Sequence, residues 1–421
     1  MHQTLTVINV VQDYLADNTG TNDTSDQINA ALAHVPVGVS PDISAGAIVY
    51  FPQGTYKIKK PLLRKVSWTR CIGEGKNATV ILLDAANWQG TVSPADPNAG
   101  SFIFDLQSYF VTDCAVTDML INGSATTLPG TASQSNLYSG ILCSVRSEIA
   151  RVSIYDVWGF GLWIAGESAA YTRVIDCDAD KGFNPHYNNN QGSGGNDCIG
   201  GGSLRVKIIR FYWMPGLAKN TALDFTTPGG TSFKERSVDI IDCINESPHD
   251  VVLEGCVQST IRGNRFYGNN LAVKSDASYP ILTHPWVTNP ADILVADNVF
   301  MGQLNSQSQW VGGSCQVVAD GGIYCTSKGQ MGKPLNNAGR IGILGNSFIN
   351  SAGGDASKPA SAILWAGDDK SNSDGGSVIA DNRIVNPNPN GSSSTVNIPG
   401  GCSGGAVSLG SGLGSGISVL S

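Results

Sequence analysis

Apolar and polar residues alternate in short runs along most of the chain, and each of the clearest runs carries an Asn or Cys marker. SVDIIDCIN (237–245), STIRGNRFYGNN (259–270), DILVADNVF (292–300), RIGILGNSFI (340–349) and SVIADNRIV (377–385) show the pattern best. A period of two is that of a half-buried β-strand. The markers Cys243, Asn264, Asn298, Asn346 and Asn382 stand 21, 34, 48 and 36 residues apart. The shortest repeat is therefore near 21 residues, and the excess lies in insertions rich in Gly, Ser and Asn. Fixed short strands with variable insertions predict a parallel β-helix, whose coils stack about 4.8 Å apart and let identical Asn side chains ladder from coil to coil. A propeller would need even blades of about 40–45 residues with their own signature.

A second strand aligns after each marker: GLWIAG (161–166), DCIGGG (197–202), ALDFTT (222–227), DVVLEG (250–255), LAVKSD (271–276) and AILWAG (362–367). These predict one further parallel sheet. Near the start, Thr24 and Gln27 form a capping-box pattern, and Ile28, Ala31, Leu32 and Val35 share one helical face before Pro36. This short helix is expected to cap the first coil and cover its strand edges. The expected organisation is an opening segment with the capping helix and first strands (1–60), a β-helix with loop insertions (61–398) and a Gly/Ser-rich C-terminal segment (399–421) that covers the far end or packs in an oligomer.

Composition supports an all-β reading. Charged residues make up only 14% of the 421, Gly accounts for 51, and of 34 acidic residues only Glu74, Glu148, Glu167, Glu235, Glu246 and Glu254 are Glu; Asp favours turns over helix interiors. The net charge of −8 argues against nucleic acid or anionic lipid as partner. No apolar run approaches a membrane span, and MHQTLTVINV lacks the basic and apolar regions of a signal peptide; the expectation is a soluble chain, trimmed or natively cytosolic at its start. The ten cysteines are too dispersed for a disulfide framework and form no C-x-x-C zinc pattern. Most are expected to be buried small apolar residues. Cys315 and Cys325 bracket the loop-like CQVVADGGIYC and could bridge in an oxidising compartment.

DYLADNTGTNDTSDQINAAL (13–32) followed by GAIVYFPQGTY (46–56) resembles the opening segment of the pectate-lyase superfamily. The resemblance implies a single-stranded right-handed parallel β-helix and a carbohydrate-active protein: polysaccharide lyase, polygalacturonase-like hydrolase, uronate epimerase, fructan transferase or phage tailspike depolymerase. Fold alone does not choose among these.

The candidate chemistry is carboxylate-based. GNDCIGGGS (195–203) resembles the Asp-Asp-Cys-Ile strand of polygalacturonase-like hydrolases, with Asp197 on the second Asp and Asn196 in place of the first; the Gly-His-Gly and Arg-Ile-Lys companions of that family are not found. Asp224 and Glu254 fall on outward positions if Leu223, Phe225, Val251 and Leu253 point inward. One coil sideways and two residues along the strand set their Cα atoms near 8 Å, compatible with inverting glycosidases, in which one carboxyl protonates the leaving oxygen and the other activates water. A salt bridge from Glu254 to Lys274 on the next coil is the structural alternative. GFNPH (182–186) resembles the Gly-Phe-Asp-Pro-His segment of mannuronan C5-epimerases, with Asn184 in place of the Asp, and makes His186 a substrate-binding candidate beside the plainer reading as a loop His. Trp158, Trp163 and Trp213 lie on consecutive predicted coils and are either sugar platforms or core; Trp163 is the one expected to be exposed. Asp176, Asp178 and Asp180 alternate in DCDAD and would point the same way, a possible Ca²⁺ site or a solvated acidic stripe. No other metal or cofactor is expected.

The reading these residues support is a polysaccharide-degrading glycoside hydrolase acting on a bacterial surface or a plant or algal polysaccharide. Asp197, Asp224 and Glu254 would be its acid–base residues, and Trp163, His186, Trp213 and Lys274 would bind substrate. The expected setting is extracellular or on a virion, as a homotrimeric tailspike; a secreted enzyme is the alternative. The rivals are a lyase or C5-epimerase on uronate polymers, a fructan transferase and a non-catalytic glycan-binding β-helix.

Overall fold

In a computed structural model, the described residues are 6–34, 47–90, 101–107, 111–124, 138–157, 159–179, 198–214, 222–225, 236–246, 251–267, 281–284, 291–301, 317–320, 339–349, 363–366, 377–385, 396–397 and 407–409. Their regular structure is almost all short parallel strands, with one α-helix and two single-turn 3-10 helices. The chain forms a right-handed parallel β-helix with an N-terminal cap: a parallel β-helix is what the alternation predicts, and its hand is the one the resemblance implies. It divides into two compact units, one ending at Lys207 and one beginning at Ile208. Among the described residues no helix is long and apolar enough to cross a membrane.

In the first unit the strands Thr6–Asn9, Ala47–Tyr50, Arg70–Ile72, Ala115–Asn122, Glu148–Tyr155 and Arg173–Ile175 pair in parallel succession. Cys71, Val116, Ile149 and Val174 fall in register and are buried. A second sheet runs Leu62–Leu63, Ser101–Asp105, Tyr138–Leu142, Leu162–Ala165 and Ile199–Gly202.

The helix is Ser25–Leu32, and Ser25, Ile28, Ala31 and Leu32 are its buried positions. The expected capping box does not form. Thr24 makes no cap bond; its hydroxyl instead accepts the Asp17 backbone N–H at 3.1 Å. Ser25 Oγ accepts the N–H groups of Lys59 (2.8 Å) and Lys60 (3.1 Å). At the second sheet's edge, Asn29 acts as a missing strand. Its Nδ2 donates to the Pro61 carbonyl at 2.9 Å and its Oδ1 accepts the Leu63 N–H at 2.7 Å, so the helix covers the open edge.

In the second unit every predicted marker phrase is a pair of strands broken by one bend: Val238–Ile241 with Ile244–Asn245, Val257–Arg262 with Arg265–Tyr267, Ala291–Ala296 with Val299–Met301, Gly339–Leu344 with Ser347–Ile349, and Ser377–Ala380 with Arg383–Val385. The bend residue has positive φ and immediately precedes the marker: Asp242, Gly263, Asp297, Gly345 and Asp381, at 54°, 70°, 55°, 64° and 56°. Asp and Gly tolerate that conformation best. A Cβ on Gly263 would lie 2.5 Å from Asp242 Oδ1, so the bends themselves stack tightly.

The markers form the expected ladder. Asn264, Asn298 and Asn346 each donate Nδ2 to the Oδ1 of the next marker at 2.9 Å. Each also donates to a main-chain carbonyl of the preceding coil, Ile240, Ile261 and Val295 respectively, at 2.9–3.0 Å. Behind the ladder, Ile240, Ile261, Val295 and Ile343 fill one buried column, and Phe266 stacks on Phe300 at 5.0 Å.

The second sheet of this unit runs Leu223–Phe225, Val251–Glu254, Ile281–His284, Val317–Asp320, Ile363–Ala366 and Val396–Asn397. Two predicted assignments change here. The slot expected for LAVKSD is filled by Ile281–His284, and 271–276 lies outside the described residues. VVAD inside the loop-like CQVVADGGIYC is a strand. In the C-terminal segment, Val407–Leu409 pairs with Ser377–Ile379.

Candidate functional site

The second sheet of the second unit brings the candidate acids together. Leu223 and Phe225 are fully buried while Asp224 between them is half-buried, so alternation sets Asp224 on the opposite face. On the next coil Val251 and Leu253 are the buried pair, which places Val252 and Glu254 on that same face. Asp224 pairs in register with Val252, so Glu254 stands one coil across and two residues along. This is the expected offset, a Cα separation of about 8 Å.

Two residues that the sequence reading missed join this face. Glu254 pairs in register with His284, not with Lys274, because Ile281–His284 is the next strand. The pairing of Ile281, Leu282 and Thr283 with Val317, Val318 and Ala319, continued by one residue, sets Asp320 opposite His284. Glu254, His284 and Asp320 therefore hold register positions on consecutive coils, whose strands stack about 4.8 Å apart. Glu and His are scarce here, six and five residues respectively in 421, so their juxtaposition is not a by-product of composition.

The aromatic candidates behave otherwise. Trp163 was expected to be exposed but is 7% exposed, packed in one cluster with Phe102, Leu142 and Phe160. Its indole lies 4.2 Å from the Phe160 ring, and a Cβ on Gly200, its register partner, would come within 2.8 Å of it. Both faces of this part of the sheet are covered: Ser101–Asp105 and Tyr138–Leu142 are buried at every position. Trp213 is fully buried, beside Phe211 at 4.7 Å, with its Nε1 donating to the Ala222 carbonyl at 2.9 Å. Neither ring is a sugar platform.

Asp176 and Asp178 do not share one direction. Asp176 has φ of 55°, which breaks the alternation, and Asp178 is buried with its carboxylate bonded to the Lys76 ammonium and, at 2.9 Å, to the Tyr155 hydroxyl. Among the described residues no group of three or more His, Cys, Asp or Glu is placed to hold a metal ion. Asp180, His186, Asp197 and Lys274 lie outside the described residues. Seven cysteines are described, and all are buried and unbridged; Cys315 and Cys325 lie outside.

Residues 7–141 match a family model described as Rhamnogalacturonase A/epimerase, pectate lyase-like, in agreement with the resemblance of the opening segment. No curated protein matches the chain. Among solved structures, PfbA, a surface adhesin of Streptococcus pneumoniae, has a TM-score of 0.57 at 16% identity over 91% of each chain. A tailspike protein of Acinetobacter baumannii bacteriophage Fri1, a capsular polysaccharide depolymerase, has a TM-score of 0.60 at 14% identity, covering 100% of this chain and 63% of its own. A Family 28 exopolygalacturonase of Yersinia enterocolitica has a TM-score of 0.53 at 11% identity, covering 99% and 77%. These similarities concern the fold.

Proposed function

We propose that the protein is a polysaccharide depolymerase of the glycoside hydrolase type, acting on a bacterial surface or a plant or algal polysaccharide. Asp224 and Glu254 share the acid–base work. The observation that carries the reading is their offset on one sheet face, about 8 Å between Cα atoms, a backbone spacing compatible with the carboxyl separation of inverting glycosidases. His284, in register with Glu254, supplies a further proton-transfer group. The pectate lyase-like match over 7–141 supports a polysaccharide as substrate.

The test is mass spectrometry of products from a panel of acidic and neutral polysaccharides in ¹⁸O-labelled water. Hydrolysis adds one labelled oxygen per cleavage, and Asp224→Asn or Glu254→Gln is expected to slow it at least about 100-fold. Full activity in both variants would overturn the assignment. A second reading, elimination or epimerisation of uronate polymers, is favoured by His284, which offers a base beside a carboxylate; unlabelled fragments with an unsaturated end, or altered sugars in an uncut chain, would establish it. An extracellular or virion-borne homotrimer belongs to the same proposal, and a monomeric mass in light scattering at micromolar concentration would refute the trimer.

A further inference from the structure

Just before the first-sheet strands that begin at Arg70, Ala115, Glu148, Arg173 and Val206, the backbone passes through one left-handed residue. In five successive coils this residue is Trp68, Asp113, Arg146, Tyr171 and Arg205, with φ of 62°, 58°, 54°, 64° and 52°. Main-chain bonds fix the succession. The N–H groups of Trp68, Asp113, Arg146 and Tyr171 donate to the carbonyls of Thr112, Val145, Ala170 and Leu204 at 2.8–3.0 Å, each the residue just before the next coil's left-handed position. The five positions therefore form one ridge.

The other set of left-handed bends, within the strands and strand pairs, has Asp118, Arg151 and Asp176 in this unit and Arg210, Asp242, Gly263, Asp297, Gly345 and Asp381 in the other, seven Asp or Gly, two Arg and no aromatic. Asp and Gly suit positive φ; a bulky aromatic there is strained. Burial does not offset the strain, because Trp68 and Tyr171 are 45% and 44% exposed. Between them the Asp113 carboxylate takes the Arg146 Nε and Nη2, both at 2.6 Å. The Arg205 guanidinium lies over the Tyr171 ring, 5.9 Å from its centroid.

We infer that this ridge is a glycan-binding site carried by residues other than the acid–base set, and that its ligand is a chain of neutral sugars lying along the stack. The coil spacing of about 4.8 Å is close to the length one pyranose adds to an extended chain. Trp68 and Tyr171, three coils apart and so about 14 Å from each other, stack on the apolar faces of sugars at matching intervals. The Asp113–Arg146 pair meets the hydroxyls between. The ligand is neutral because the ridge's charges are already engaged, Arg146 with Asp113 and Arg205 with the Tyr171 ring. The inference takes from the proposed function only that the ligand is a polysaccharide.

The experiment is affinity electrophoresis of the full chain through gels containing galactomannan, dextran or hydroxyethylcellulose, with Glu254→Gln as background so that turnover does not enter. The parent is expected to be retained by at least one gel. The Trp68→Asn/Tyr171→Asn double variant is expected to lose affinity about tenfold, with an unfolding midpoint equal to or above the parent's because the backbone strain is relieved. No retention of the parent, unchanged retention of the variant, or a variant that melts well below the parent would each overturn the inference. So would a fall in oligomeric mass by light scattering, which would make the ridge a subunit contact. A protein that is retained through the ridge but cleaves nothing would leave this inference standing and refute the hydrolase reading.

Discussion

Replacing Asn298 by Ala tests whether the asparagine ladder holds the second unit together. Asn298 is 1% exposed, so water cannot replace lost partners. Its Oδ1 accepts the Asn264 backbone N–H and Asn264 Nδ2, both at 2.9 Å. Its Nδ2 donates to the Ile261 carbonyl and Asn346 Oδ1, also at 2.9 Å. Truncation strands the Asn264 N–H outright and one of the two Asn264 amide hydrogens, since the other still reaches the Ile240 carbonyl at 2.9 Å. Asn346 Oδ1 keeps the Asn298 main-chain N–H at 3.0 Å. Two buried donors without partners, at roughly 1–3 kcal/mol each, give an expected loss of about 4 kcal/mol.

Urea unfolding followed by tryptophan fluorescence and far-UV circular dichroism measures this loss, with Asn87→Ala as an exposed control expected to change stability by less than about 0.5 kcal/mol. Asn298→Asp sharpens the test. The isosteric carboxylate keeps the two acceptor contacts but turns an oxygen toward the Ile261 carbonyl and Asn346 Oδ1. Its folded pKa must therefore rise, and stability relative to the parent must recover as pH falls and the new carboxyl regains a proton to donate. An Asn298→Ala loss below about 1 kcal/mol with unchanged denaturant slope, or an Asp variant indifferent to pH, would refute the ladder as a source of stability.

The remaining expectations concern other parts of the fold. Cys243 occupies a ladder position, with its Sγ 3.6 Å from the Ile208 carbonyl and 3.3 Å from the Phe211 N–H; Cys243→Asn should extend the ladder and raise stability by about 0.5–1.5 kcal/mol in the same urea assay, and a loss would count against it. Burial pushes the thiols of Cys71, Cys177 and Cys243 up to about 12, so mass-resolved labelling at pH 8 should find the seven described cysteines silent until the chain is unfolded. Trp163→Ala should cost about 3–5 kcal/mol, as for a core indole; a variant that loses glycan retention at unchanged stability would restore Trp163 as a platform. Hydrogen bonds from Arg151 hold the Asp118 carboxyl below its ordinary 3.8. The pair's contribution is therefore present above that value and lost as pH falls through the depressed one. Arg151→Gln should return Asp118 to the ordinary range in a carboxyl ¹³C NMR titration, and its melting deficit should be present at pH 6 and shrink as pH falls through the depressed value.

How legible the molecule was depended on whether a position carries its own chemical mark. Asn264, Asn298, Asn346 and Asn382 each follow a Gly or Asp in the left-handed conformation that those residues tolerate better than most, so the first sheet of the second unit could be read strand by strand. The second sheet has no such mark. LAVKSD and ILTH are both short apolar runs ending in a polar residue, and only the pairing of Val251–Glu254 with Ile281–His284 decides between them. That choice moved the partner of Glu254 from Lys274 to His284 and brought in Asp320, so an error of ten residues in one strand altered the chemistry of the candidate site. The face positions of Asp224 and Glu254 were legible because the neighbouring residues Leu223, Phe225, Val251 and Leu253 are unambiguously apolar and buried.

Exposure was misread for a different reason. Alternation tells which of two faces a side chain occupies, but not whether that face meets water. Parallel sheets are often covered on both sides, and Ser101–Asp105 with Tyr138–Leu142 show that this one is, so Trp163 is outward in parity and interior in fact. The same limit explains why Trp68 and Tyr171 drew no notice. They lie outside any alternating run, in bends where a sequence pattern expects Gly, Asn or Asp, and their significance rests on backbone torsion angles that composition does not encode. A residue that suits its conformation poorly and gains little burial is kept, if it is kept at all, for what it touches outside the fold; the two aromatic bends are where that argument applies most directly in this chain.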